Sequence, residues 1–518
     1  MTISGPQWTT LTLLSYSLAA TAMSTAGWSN ASASIAVDPT GSFTLFSLYG
    51  PSVAIQNNRL YIEGGSLRLS PPGEISAFKT VDRANTRLLW LDLTTAFDWA
   101  NHRVFSDSKP RSTPNQQQGV AFTGNASDGR FFIFGGSLGY TNSSAPDYVP
   151  PPVQNLRQFW YFDLRQSEQQ HWTTATIDSA SGVQNVVHGA AATDARRGVG
   201  YYLDGEINSD VVRSSPSYAV TGLVSFRFSD LSWKNTTTSR YSSTVGGLME
   251  YVPVGKQGIL VVFGGKTADA GKDSSKATMN DMSLIRIYDI DSDSWYDQTA
   301  TGGGDRGFPY SRTGSCSVMV PSPDNSTFNI YVQGGENQTG LLGDVWVLSL
   351  PSFTWIDVVD SDSDIGQRGH TCKAVGKHMF SICGGVGAYS APLFYIFDMV
   401  QLAWTNSYNP KAGPYGIPQA ISSVIGGDSK GGRTLAPPSG WTSAELGEIF
   451  AARPGEDGIS SSPPPPTAPA SKQLTTGEMA GIIVGSIVGF AALVILAVLV
   501  LKRWWPKEWL PSKPPPII

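Results

Sequence analysis

One pattern returns six times along this chain: an apolar run closed by glycine, a second apolar run, then a single tryptophan. The diglycines Gly64-Gly65, Gly135-Gly136, Gly264-Gly265, Gly334-Gly335 and Gly384-Gly385 close the runs RLYIEGG, RFFIFGG, ILVVFGG, NIYVQGG and MFSICGG. A further run, YYLDGE, keeps Gly205 and has Asp204 where the other glycine would stand. Behind the second runs come Trp99, Trp172, Trp233, Trp295, Trp355 and Trp404. Self-similarity in register is the mark of a repeat architecture, in which each unit buries its faces against its neighbours. Short β-branched and aromatic runs on both sides of a turn predict antiparallel strands covered on both faces, as where sheets stack on sheets. Glycine after a strand permits close backbone approach. One Trp per unit supplies a large flat surface for the wedge between neighbouring sheets.

Composition agrees with many short strands and turns. Only 15% of residues are charged, against about 25% in an average domain, while Gly (55), Pro (34) and aromatics (11%) are plentiful. Long helices would need more charge on their exposed faces. The net charge of −5, from 36 basic and 41 acidic residues, comes with no basic stripe and excludes backbone-driven nucleic-acid binding. Three cysteines without a Cys-x-x-Cys pair exclude a disulfide framework and a cysteine-rich zinc site.

The sixth unit reads in full as Gln367-Arg368-Gly369-His370-Thr371-Cys372, then MFSICGG, LFYIFDM and Trp404. This pattern resembles the kelch repeat. In that family an Arg-x-Gly-His segment opens the innermost strand, the diglycine closes the second, an acidic residue ends the third and the Trp lies on the fourth. Here the opening is one residue shorter. Asp92, Asp163, Asp289 and Asp398 hold the acidic position, with Ser349 and Arg227 in the fifth and third units. The opening Arg recurs at Arg312 and Arg240, whereas the first three units have Tyr49-Gly50-Pro51, Gln118-Gly119 and Val187-His188-Gly189 there. The resemblance covers about residues 42–425 and implies an all-β, six-bladed kelch-type β-propeller, with a seventh blade open. SCSVMVPSPDNSTFNIYVQGG and DVWVLSLPSFTW look further like the membrane-anchored kelch ectodomains of filamentous fungi.

The distance from diglycine to Trp shortens along the chain while that from Trp to the next diglycine stays nearly constant, so insertions fall between second and third strands. Long loops such as Ser137 to Gln158 and Lys266 to Ser283 then share one side of the disc, where binding residues are expected. The segments Phe43 to Leu48 and Ile417 to Ile425 are expected to complete a sheet and cover an edge. Residues 426–478 read as loop and a Pro/Ser-rich stalk around ISSSPPPPTAPAS.

Residues 479–501 run without a charge, long enough for a bilayer of about 30 Å at about 1.5 Å per residue. Lys502, Arg503, Lys507 and Lys513 follow, and the positive-inside bias assigns 502–518 to the cytoplasm. Residues 1–22 end in Ala20-Thr21-Ala22 and read as a signal peptide without a basic n-region. Sequons at Asn30, Asn125, Asn142, Asn235, Asn325 and Asn337 permit N-glycosylation. The expectation is a single-pass type I membrane glycoprotein of the plasma membrane or vacuole, its propeller on the extracellular or lumenal side.

For chemistry the residues offer little. Only five histidines are present, His102, His171, His188, His370 and His378, with no matched set for a metal, so no catalytic, cofactor or metal site is assigned. Glu63, Glu206 and Glu336 beside the glycines are expected to bond turns and arginines such as Arg312 and Arg368. Cys316 and Cys372 occupy equivalent innermost-strand positions, so a disulfide is conceivable. Free buried thiols are the simpler expectation, with Cys383 single. The favoured function is a scaffold binding a protein or glycan on the long-loop face. The alternative is a membrane-tethered propeller enzyme or isomerase acting on a small molecule.

Overall fold

In each unit the two apolar runs become the second and third strands of one antiparallel sheet, because residues alternating above and below a strand must find cover on both sides. A computed structural model describes residues 44–452, apart from 71–80, 99–101, 111, 126, 139–157, 168–170, 179–180, 209–216, 237–240, 303–305, 361–364, 386–391, 433–436 and 438–439. The first sheet orders Ser52–Gln56, Arg59–Glu63, Arg87–Asp92 and Val104–Ser108. The second to sixth begin at Gln116–Thr123, Ala190–Asp194, Leu248–Val252, Cys316–Pro321 and Thr371–Val375, each followed by three more strands in chain order. The fifth adds the parallel strand Thr301–Gly302. Among the described residues these sheets, each ordered inside to outside, have the arrangement of a β-propeller.

What binds sheet to sheet is a repeated hydrogen bond. After each second strand the backbone turns through two residues of positive φ, and the second N–H reaches the carbonyl of the segment leading into the next sheet. Gly65 donates to Gln116 (2.7 Å), Gly136 to Val186 (2.8 Å), Gly205 to Thr244 (3.1 Å), Gly265 to Arg312 (2.8 Å), Gly335 to Gln367 (2.7 Å) and Gly384 to Leu48 (2.7 Å). The last bond joins the sixth sheet to the first. In the sixth sheet the turning pair is therefore Cys383 and Gly384, with φ of 64° and 105°, one residue earlier than the diglycine Gly384-Gly385. Phe97–Asp98 pairs with Ser407–Tyr408 across the same junction.

The tryptophans Trp172, Trp233, Trp295, Trp355 and Trp404 lie on the fourth strands of sheets two to six, the fifth sheet carrying Thr301–Gly302 outside it. The first sheet departs from the expectation. Its outer strand is Val104–Ser108, where Phe105 stacks on Trp90 at 4.1 Å, and Trp99 lies outside the described residues. The acidic residue ending a third strand caps the following turn: Asp92 accepts from the Thr94 N–H (2.8 Å), and Asp398 from Val400 and Gln401 (3.0 Å each).

Wedges between sheets widen outward and are filled differently. Phe226 stacks on Trp233 at 4.2 Å between sheets two and three. Between five and six lies a helix, α1 (Gln419–Ile425), burying Ile421 and Ile425. The edge strand expected over 417–425 is thus helical from Gln419 onward, since Ile421 and Ile425, four residues apart, share the buried helix face. A second helix, α2 (Ala444–Ala451), stands where a loop was expected. Ser443 caps it by accepting from the Leu446 N–H at 3.2 Å. Leu446 and Phe450 enter the core between sheets four and five with Phe353 and Trp355, worth about 2 kcal/mol each. Ile449 meets Gly255, in the turn between the fourth sheet's first two strands. The tail therefore packs on the face that carries these turns, opposite the long loops.

At the N-terminus Thr44–Tyr49 does not join a ring sheet. It pairs with Ser66–Ser70, and with Val81–Ala84 makes a separate three-stranded sheet on the loop face. A disulfide links Cys316 to Cys372, tying the innermost strands of sheets five and six, and Cys383 is free and buried. The free-thiol expectation for that pair thus gives way to the bond, because the strands bring the two Cα atoms to 5.3 Å. Among the described residues no helix is long and apolar enough to cross a membrane. The expected signal peptide 1–22, stalk, span 479–501 and cytoplasmic tail lie outside them.

The inter-sheet turns predict a steep cost for a side chain. A Cβ on Gly64, at φ +67°, would sit 2.0 Å from the Gln116 carbonyl oxygen, whereas one on Gly413, at φ +91°, meets nothing within 4 Å. Gly64→Ala should cost on the order of 3 kcal/mol and Gly413→Ala about 1 kcal/mol, read from denaturant midpoints. Equal costs would rule out crowding as the reason for glycine.

Candidate functional site

The centre of the loop face is built from six left-handed residues, one at the head of each innermost strand. Gly50, Gln118, His188, Gly246, Gly314 and Gly369 have φ between 56° and 66°. Gln118 donates to the Gly50 carbonyl (2.7 Å), Gly50 to Gly369 (3.0 Å), Gly369 to Gly314 (2.8 Å), Gly314 to Gly246 (3.2 Å) and Gly246 to His188 (2.6 Å). A short second collar thus surrounds the channel mouth. Gln118 and His188 hold this conformation without being glycine, at a local cost of about 1 kcal/mol. Their side chains are engaged, Gln118 Nε2 donating to the Tyr49 hydroxyl (3.1 Å) and His188 Nδ1 lying 2.8 Å from Glu206 Oε1. Sequence reading marks these positions only as incomplete openings, because one residue per strand leaves no periodic signal.

The three acids beside the glycine turns do not gather. Glu63 pairs with Lys109, Glu206 with His188, and Glu336 with Arg368 through bonds of 2.7 and 2.6 Å. Burial raises the Glu206 carboxyl, but hydrogen bonds from His188 and Ser274 and the nearby Lys266 charge outweigh it and hold the group below its ordinary value. Each carboxylate thus faces its own partner, and the three do not converge on a common site. The histidines are equally dispersed: His102 stands edge-on to Phe394, His171 to Phe162 and His378 to Tyr408.

Arg312 takes Asp344, not a loop-face glutamate. Its guanidinium makes a bidentate pair at 2.7 and 2.9 Å, and neither side chain is more than 1% exposed. Arg312 also donates to the Gly334 and Tyr310 carbonyls, and the Trp346 indole N–H binds Asp344 at 2.9 Å. Every lone pair and N–H of a buried pair needs such partners. The segment it anchors, the link from the fourth to the fifth sheet, exposes Phe308 (39%) and Tyr310 (63%). These are the large aromatics left in solvent among the described residues.

Deeper along the innermost strands stand Glu250, Ser317 and Lys373, from sheets four, five and six. The Ser317 hydroxyl donates to Glu250 Oε1 at 2.5 Å. Burial pushes the Glu250 carboxyl up to about 7 against the pull of Ser317 and Lys373, and the same burial pushes the Lys373 amine down. A separate cleft of about 560 Å³ opens at the rim between sheets three and four, lined by Arg197, Arg227, Trp233, Lys234, Tyr288 and Asp293 among others. Inside it, Tyr201, Leu223, Met249, Leu260 and Tyr288 pack the two sheets together.

Of the sequons, Asn125, Asn235 and Asn325 are exposed and Asn337 is half-buried. Asn125 and Asn337 accept from the hydroxyls of Ser127 (2.6 Å) and Thr339 (2.7 Å). Asn30 and Asn142 lie outside the described residues, as does most of the loop 137–158. The loop 266–283 is built as the short strands Lys266–Ala268 and Thr278–Met279 around a single 3₁₀ turn at Ser274–Lys276.

Residues 200–429 match the family model described as the KLHDC2/KLHL20/DRC7 Kelch-repeats domain. A Kelch repeat-containing protein of Arthroderma benhamiae is 25% identical, over 76% of this chain and 64% of that relative. The Acyl-CoA-binding domain-containing protein 4 of Arabidopsis thaliana is 24% identical over 30% of this chain and 22% of its own. The chain thus spans under two thirds of the length of either relative.

Two measurements check the electrostatics. Arg312→Lys, which cannot form the bidentate pair, should destabilise the fold by about 3 kcal/mol, while the exposed Arg368→Ala should cost under about 1 kcal/mol. A carboxyl whose value is raised on folding contributes stability that is present below its ordinary 4.5 and lost as pH rises through about 7. Glu250→Gln keeps that contribution at all pH, so between about pH 5 and pH 8 the stability difference should move in the variant's favour. A difference that stays flat in denaturant melts at both values rules out a buried Glu250 proton.

Proposed function

We propose, on the premise that the chain is a kelch-repeat protein, that its six sheets are the blades of a six-bladed propeller that binds a protein partner on the loop face. The observation that carries this reading is the contrast on that face. Its carboxylates Glu63, Glu206 and Glu336 each face a separate partner, while Phe308 and Tyr310 stand exposed on a segment held from beneath by the buried Arg312–Asp344 pair. Rigid aromatics over an ordered backbone are the kind of side chain that anchors protein interfaces. A glycan partner would instead draw on the polar rim cleft.

The uncharged run 479–501 and the basic residues after it support a single membrane span, with the propeller on the extracellular or lumenal side of the plasma membrane or vacuole. Exposed sequons at Asn125, Asn235 and Asn325 agree with a glycoprotein. The described tail packs on the turn face, opposite the segment that carries Phe308 and Tyr310. A second reading, a tethered propeller enzyme acting on a small molecule, draws on Glu250, Ser317 and Lys373, the one titratable cluster that spans three sheets.

Lysine-directed cross-linking in the membrane fraction of cells expressing the full chain tests the proposal. Lys272 and Lys276 report the loop face, and Lys256, Lys411 and Lys430 the turn face, all five being exposed. Partner cross-links should concentrate on the first pair and weaken at least tenfold in Tyr310→Ala. Cross-links confined to the turn face overturn the docking surface, and absence of the chain from the membrane fraction overturns the tether.

A further inference from the structure

The strand alternation that builds the sixth sheet also assembles a set of soft ligands. His370 and Cys372 are two residues apart at the head of the innermost strand, so their side chains share one face, while Thr371 between them donates to the Pro51 carbonyl of the first sheet. That shared face meets the fifth sheet at Cys316. One potential ligand atom from each of Cys316, His370 and Cys372 lies within 4.8 Å of the other two, and all three residues are buried, at 4%, 6% and 5% exposure.

Two further features concern what this cluster could hold. His370 Nε2 lies 3.2 Å from the Gln333 carbonyl, but Nδ1 is buried without a hydrogen-bond partner. A buried ring nitrogen without a partner, on a histidine clustered with two cysteines, is a ligand atom without a ligand. Gln333 also brings its amide oxygen to 4.0 Å from Cys316 Sγ, within reach of a fourth position. The apolar side chains Tyr331, Val345 and Met379 pack in the same cluster as both cysteines, so an occupant that leaves the site close to neutral is favoured.

We propose that Cys316, His370 and Cys372 form a zinc site that the disulfide closes and reduction opens. In the structure the two sulfurs are bonded to one another and unavailable. A thiol reductant supplies two electrons and two protons, cleaves the S–S bond to two thiols and ends as its own disulfide. Zn²⁺ then binds both sulfurs as thiolates, releasing two protons, with the imidazole as third ligand. Two thiolates, one neutral imidazole and a divalent cation sum to zero charge, whereas a monovalent soft cation would leave a buried negative charge. Zinc bonds of about 2.3 Å to sulfur and about 2.0 Å to nitrogen set neighbouring ligand atoms roughly 3.5–3.8 Å apart, a small adjustment from the observed cluster.

The full chain, reduced with a phosphine and equilibrated with Zn²⁺, should retain about one zinc per chain after gel filtration. The oxidised chain, which shares its sequence and fold, should retain none. Zn²⁺ should raise the melting temperature of the reduced chain only, and Co²⁺ in its place should give the near-ultraviolet charge-transfer band of thiolate ligation. His370→Gln should weaken zinc binding at least tenfold and Cys372→Ser should abolish it. Equal zinc content in reduced and oxidised chains, or a reduced chain that keeps its zinc in the Cys372→Ser variant, overturns the site.

Discussion

The fold depends on one hydrogen bond made six times: the N–H of the second turning residue to the carbonyl of the segment entering the next sheet. In a repeat protein each unit has contacts only with its neighbours, so a ring is as firm as its weakest junction. The bond from Gly384 to Leu48 makes the closing junction the equal of the other five at 2.7 Å. Phe97–Asp98 and Ser407–Tyr408 reinforce it, and Phe97, Phe380, Phe394 and Tyr408 pack there as an aromatic cluster. Elsewhere reinforcement is uneven. The disulfide and α1 brace sheets five and six, α2 braces four and five, and the rim between three and four is left open.

Much of this was legible because it repeats. Glycine closing a strand, an acidic residue ending the next and Trp after it each recur with a physical reason, and register across five or six copies makes the reason readable. The exceptions are instructive. In MFSICGG two glycines are present, but Cys383 takes the first left-handed position and the turn starts one residue early; a side chain at φ 64° is rare enough that sequence favours the glycines. In the first unit the outer strand carries Phe105, stacked on Trp90 of the neighbouring strand. The helices α1 and α2 are too short for a strong period, and their stability comes from the wedges they fill rather than from their own residues.

The candidate site was less legible because its residues act singly. Nothing in the sequence links Ser317 to Glu250, or the single histidine of an opening motif to two cysteines on different strands. Convergence at the centre of a propeller is a product of ring closure, and it brings together positions roughly one blade apart in sequence whose types are unconstrained by the repeat. The loop-face acids illustrate the opposite outcome: similar residues at similar repeat positions are kept apart by the ring, each against its own partner.

Arg312 connects the frame to the display surface. Its carbonyl receives the Gly265 N–H that binds sheet four to sheet five, its guanidinium is locked on Asp344, and its Nε–H holds the carbonyl of Tyr310 at 2.9 Å. The most exposed aromatic ring on the loop face therefore hangs from a backbone fixed by a residue that also helps close the ring. Ordering such a loop on binding would cost about 1–2 kcal/mol per residue in lost backbone freedom, and here that entropy is already spent in folding. A rigid propeller presenting a pre-ordered aromatic to a partner needs no convergent acid or base, and Glu63, Glu206 and Glu336 accordingly face Lys109, His188 and Arg368 separately.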